Sequence, residues 1–154
     1  NAARQIRSFI REWIRERPGR TILLTTHYML EADELCDRVA IIDRGRILAC
    51  DTPANLKRQL QRDAVFSLEI DGLGGWFPFL QGIPGVRQAY YRPRDGRAEV
   101  DLILEEEGAI GPVISALTAH GAHILALRKR EPTLEDVFVR LVGRGLSEAE
   151  EEPE

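Results

Sequence analysis

His27 follows a short apolar run, Thr21-Ile22-Leu23-Leu24-Thr25-Thr26, and is the residue best placed for chemistry in this 154-residue chain. Open α/β sheets gather their ligands at the carboxyl ends of such strands. A histidine there can donate to a phosphate oxygen and help hold an attacking water. From spacing alone, a loop histidine satisfied by backbone is the commoner case.

Other chemistry-bearing residues have plainer explanations. His120 and His123 with Cys36 or Cys50 lack the spacing of zinc ligands, and the element changes between the two histidines. Glu105-Glu106-Glu107 reads as a solvated turn whose charges suit a helix start. Tyr90-Tyr91 beside Arg92 and Arg94 suggests a base-stacking sheet, but the facing run Arg97-Ala98-Glu99-Val100-Asp101 is acidic. Packing on a half-exposed sheet explains the tyrosines better. Asp43 ends a hydrophobic strand and opens a turn, which is a sufficient role for it.

The elements that must position these residues follow from periodicity. Ile6, Phe9, Ile10, Trp13 and Ile14 give an amphipathic helix that Pro18-Gly19 ends. The Thr21–Thr26 run, without alternation, suits a strand buried on both faces of a parallel sheet. Tyr28–Cys36 is a short helix. Val39–Ile42 is a second buried-type strand, and Arg38–Asp51 forms a hairpin around Gly45. Thr52-Pro53 caps a helix expected to run to about Arg62.

A second unit starts near Asp63. Strands are expected at Val65–Ile70, Val86–Arg92 and Ala98–Leu104. The last two are joined by the turn Pro93-Arg94-Asp95-Gly96. A short helical piece at Trp76–Leu80 follows the loop Gly72-Leu73-Gly74-Gly75. A helix at Ala109–His120 and a strand at His123–Arg128 complete a β-α-β-β-α-β order, the ferredoxin-like plan. Thr133-Leu134-Glu135-Asp136 opens a final helix with a capping-box pattern.

The whole run from Thr21 to Leu60 resembles the last part of the nucleotide-binding subunit of ABC transporters. In that family His27 would be the switch histidine that senses the γ-phosphate, and it is both the catalytic and the cofactor-binding candidate. Asn1-Ala2-Ala3-Arg4 resembles the residues just after the family's D-loop. Thr133-Leu134-Glu135-Asp136-Val137-Phe138 resembles the ending common in the drug- and lipid-export branch. The resemblance implies a fold in two parts: an α/β fragment of a P-loop ATPase domain over residues 1–62, then an α+β ferredoxin-like accessory domain over 63–142. An acidic tail, 143–154, is expected to be disordered.

The resemblance also implies a parent that couples ATP and Mg²⁺ to export of a drug, antibiotic or lipid. Its partners would be a transmembrane permease and a second ATPase subunit. It would sit in the cytoplasm, at the inner face of the membrane. Yet neither lysine, Lys57 nor Lys129, follows a glycine loop, as phosphate binding requires. The family's glutamine loop, serine-glycine-glycine signature and acidic metal-binding strand are also missing. The fragment alone is therefore expected to bind no cofactor, hold no metal and hydrolyse nothing. The alternatives are a ferredoxin-like regulatory module that self-associates or senses a small molecule, and, more weakly, an RNA binder.

Charge and composition fit that picture. The net charge is −4; residues 1–62 carry twelve basic and eight acidic side chains, residues 63–142 the reverse, and 143–154 one and five. No strong basic face indicates nucleic acid. Two cysteines make no disulfide framework. The uncharged run Gly108–Leu127 is broken by Gly111, Pro112 and Gly121 and carries two histidines, so it is read as helix and strand rather than a membrane span. With apolar strands in residues 1–62 left unpaired, a homodimer is expected.

Overall fold

The computed structural model describes residues 2–17, 19–72, 78–94 and 96–143. The chain divides into two compact units, one up to Leu56 and one from Lys57. The expected stop at Pro18, the glycine loop from Leu73 on, the start of the Trp76 piece, Asp95 of the turn and the tail beyond Gly143 lie outside the described residues.

In the first unit, helix α1 (Ala2–Glu16) carries the expected amphipathic pattern. Its arginines contact α2 (Met29–Leu35): Arg7 sits 3.3 Å from both Glu31 and Glu34, and Arg11 donates to the Glu34 carbonyl at 2.8 Å. Two of its apolar side chains stay open, Ile6 at 58% and Phe9 at 65% exposed, while Ile10 and Ile14 are half-buried. The Arg20 guanidinium lies 3.9 Å from the centre of the Trp13 ring. Strands β1 (Val39–Asp43) and β2 (Arg46–Asp51) pair antiparallel, as the hairpin pattern predicts. Their two-residue loop, Arg44-Gly45, has positive φ at both positions, the geometry that matches strand twist.

Two expectations fail in this unit. Thr21–Thr26 belongs to no helix or strand, and Leu23 is 94% exposed. A strand needs a neighbour to take its backbone hydrogen bonds, and no described strand pairs with this run. Val39–Ile42 is likewise not buried on both faces: Ile41 is buried, but Ile42 is 58% exposed. Helix α3 (Pro53–Arg58) starts where predicted, with Thr52 Oγ1 accepting from Asn55 N at 3.2 Å. It stops four residues early. From Lys57 the chain tightens into i→i+3 hydrogen bonds, Leu60 N to Lys57 O and Asp63 N to Leu60 O, each 3.0 Å. Leu60 is fully buried there.

The second unit is a mixed α/β domain built on a four-stranded antiparallel sheet. Its strands are β3 (Ala64–Asp71), β4 (Val86–Arg94), β5 (Arg97–Leu104) and β6 (His123–Arg130), in the spatial order β4-β5-β3-β6. Alternation does what it predicts. Phe66, Leu68 and Ile70 of β3 and Val100, Leu102 and Leu104 of β5 share one core with Val113 and Leu117 of α4 (Ile110–Ala119). The β3–β4 connection carries a 3₁₀ turn, Pro78–Gly82, where the sequence suggests a helical piece. Helix α5 (Leu134–Val142) closes the unit, capped at the front by a Thr133–Asp136 box and behind by Gly143 at φ 80°. Among the described residues no helix is long and apolar enough to cross a membrane.

Candidate functional site

His27 lies on an exposed bend between the Thr21–Thr26 run and α2. Its ring leans on Tyr28, with centroids 4.2 Å apart at 36°. The bend is fixed by Thr26: its Oγ1 accepts from Tyr28 N at 3.0 Å and donates to Glu31 Oε2 at 3.2 Å. Glu31 is held in turn by Arg7 at 3.3 Å. The histidine therefore has a defined perch and an open ring.

A nucleotide needs more than that ring. No glycine loop with a following lysine is present, and no three described His, Cys, Asp or Glu residues converge as a metal site.

The remaining sequence candidates are scattered. Asp43 pairs in register with Arg46 across the hairpin. His120 stacks on Phe79, with centroids 4.0 Å apart, and its Nδ1 meets the Ala116 carbonyl at 2.8 Å. His123 Nδ1 lies 2.9 Å from Asp71. The two histidines thus serve different partners. Burial, then Asp37, pushes the Cys36 thiol up, while Cys50 is exposed and accepts from Arg38 at 3.5 Å. Glu107 holds Lys129 at 2.6 Å.

The densest polar constellation lies elsewhere, between α5 and the sheet face opposite the core. Asp101 of β5 and Asp136 of α5 are both fully buried. Arg130 of β6 bridges them, donating to Asp101 at 2.8 Å and to Asp136 at 2.6 and 2.9 Å. Tyr90 of β4 donates to Asp136 at 2.7 Å. Arg92 pairs with Asp101 and, at 2.9 Å, with Glu135. Thr133 adds its backbone N–H to Asp136 at 2.7 Å.

Both carboxylates are saturated by donors, so the cluster clamps α5 to three strands instead of offering a reactive group. Burial, then the two carboxylates, pushes the Tyr90 phenol far up. Burial also opposes the Asp136 charge, but Arg130, Tyr90 and Thr133 hold it below the usual carboxylate value. Sequence reasoning missed this clamp. Its signal was faint: opposite charges, Arg92, Asp101 and Arg130, on one face of neighbouring strands.

Comparison with known proteins bears on both units. A model of the C-terminal domain of DrrA1-3-like ATP-binding proteins matches residues 52–142. The chain is 30% identical over 145 residues to a linearmycin resistance ATP-binding protein, LnrL, of Bacillus subtilis, covering 92% of this chain and 46% of that protein. It is 33% identical to the daunorubicin resistance ATP-binding protein DrrA2 of Streptomyces coeruleorubidus, over 81% of this chain and 39% of that one. It is 40% identical to a fluoroquinolones export ATP-binding protein of Mycobacterium tuberculosis, over 84% and 35% respectively. The chain spans less than half the length of these relatives.

Proposed function

Because this chain belongs to the family of DrrA1-3-like ATP-binding proteins, we propose that it acts as the C-terminal part of the ATP-binding subunit of an ABC-type exporter. The observation that carries this reading is the match over residues 52–142 together with export and resistance relatives that align across most of the chain. The cargo class would be a drug, antibiotic or lipid. The partners would be a transmembrane permease and a second ATPase subunit, at the cytoplasmic face of the membrane.

In this reading His27 is the switch histidine, and its open ring on a fixed bend supports that role. The second unit is an accessory domain of ferredoxin-like plan, a reading supported by the strand order β4-β5-β3-β6. Here the first helix of that plan is represented, in the described residues, by a 3₁₀ turn. Self-association belongs to the same proposal. Ile6, Phe9 and Leu23 leave apolar surface open in residues 1–62, and a second copy is the partner expected to cover it.

The test grafts this chain in place of the corresponding part of LnrL. The chimera is expected to hydrolyse ATP. His27→Ala should cut kcat by about a hundredfold while nucleotide Kd moves by less than about twofold. Equal losses in binding and turnover would make His27 structural. The chain by itself is expected to show no metal-dependent turnover; activity that co-purifies with it through successive columns would overturn that.

A further inference from the structure

We infer that the outer edge of β6 pairs with β6 of a second copy of this chain, joining two sheets into one. The inference goes beyond the exporter reading and does not depend on it.

Strand β6 ends the sheet order, and no described strand pairs with its outer side. Leu125 and Leu127 on it are 45% and 42% exposed. Basic residues usually protect such an edge. Here that protection is reduced: Lys129 is held by Glu107 at 2.6 Å, and Arg130 is committed to Asp101 and Asp136. A bulge interrupts the pairing with β3 between Glu69 and Ile70, so regular pairing is confined to Ala126–Arg130.

Within that run the register is specified by side chains. Antiparallel pairing centred on Leu127 sets Leu127 against its copy, on the core side. It also sets Ala126 against Arg128 of the second copy, on the opposite face. On that face lies an open trough of about 550 Å³ lined by Ser67, Glu69, Arg97, Glu99, Ala126 and Arg128.

Arg128 has no ionic partner among the described residues, whereas Glu69 and Glu99 are engaged by Arg97 and Ser67. Glu69 stands directly beside Ala126 in the β3–β6 register. The incoming Arg128 would therefore stand two strand spacings from Glu69, about 10 Å between backbones, with only the alanine methyl between them. Two long side chains close that gap. The dyad repeats the contact, so each Arg128 gains a carboxylate that it shares with Arg97. A one-residue slip would put Leu127 opposite Arg128 and lose both features.

The test uses the full chain with Cys36→Ser and Cys50→Ser. Leu127→Cys should cross-link to a disulfide dimer under mild oxidation, whereas Ser115→Cys, exposed on α4, should stay monomeric. Adding Arg128→Glu should lower the cross-linked yield by about tenfold, since repulsion replaces attraction on both sides of the dyad. Circular dichroism would check that each variant keeps its fold. Cross-linking through Leu127→Cys no greater than through Ser115→Cys would overturn the inference. So would a yield indifferent to Arg128→Glu. A dimer held only by residues 1–62 would give the first of these results while light scattering still reported two copies.

Discussion

Tyr90 shows how one hydroxyl can give this protein a pH limit. Its O–H is buried against Asp136, and its phenol is pushed far above the ordinary value of 10.0. Below about pH 10 the group is protonated in folded and unfolded chains alike and adds no slope. Above that, only the unfolded chain releases the proton, so stability falls as pH rises. Tyr90→Phe should cost about 1 kcal/mol at neutral pH by leaving Asp136 short of a donor. The cost should shrink towards zero by about pH 11. Urea titrations at pH 8, 10 and 11 would measure it; a constant difference would show that the phenol ionises equally in both states. Asp136 has the opposite sign. Its folded pKa lies below the ordinary value of 3.8, so its contribution is complete above that pH and is lost only as pH falls further. Among single residues, the bend at His27 was legible because an apolar run and a short helix frame it. Asp101 was not: an aspartate on the non-core face of an alternating strand reads as solvated. Only the later arrival of α5, itself an element written as a simple cap, buries it.

At the scale of elements, α5 depends on its ends more than its length suggests. Nine residues are too few for a helix to hold by itself. Thr133 and Asp136 cap each other reciprocally, and Asp136 also anchors the clamp. Thr133→Ala should therefore cost about 1 kcal/mol. Asp136→Ala should cost about 3 kcal/mol or more, because it removes the cap, leaves Arg130 with Asp101 alone and takes the acceptor from the buried Tyr90 hydroxyl. Thermal melts of the two variants check the ranking; equal losses would mean that the clamp adds nothing beyond capping. The alternating strands β3 and β5 and this cap were readable because each needs only its own residues. Thr21–Thr26 was misread for the converse reason. Its apolar composition describes a strand in the middle of a sheet, and pairing is a property of neighbours that no described segment supplies. The shortened α3 is a similar case, in which burial of Leu60 overrides a continuous helical pattern.

Across the whole molecule, the boundary between the units can be tested through Leu60. Sequence composition places the second unit from Asp63, while the compact unit of the structure begins at Lys57. The three intervening hydrogen-bonded turns bring Leu60 to 1% exposure. They deliver Asp63 to Arg87 at 2.9 Å and Arg140 at 3.2 Å, tying the entrance of β3 to β4 and α5. The second unit has its own core, its own closing helix and a saturated polar clamp, so it should fold without the first. A chain of residues 57–143 is expected to unfold in one cooperative urea transition. A chain of residues 63–143 should do so too, but less stably by about 2 kcal/mol, the value of burying one leucine. The comparison separates two origins for Leu60's burial. If the longer chain is the more stable by that margin, Leu60 packs in the second unit and the boundary lies at Lys57. If both chains share one midpoint, Leu60 contributes nothing to that core and the boundary moves to Asp63.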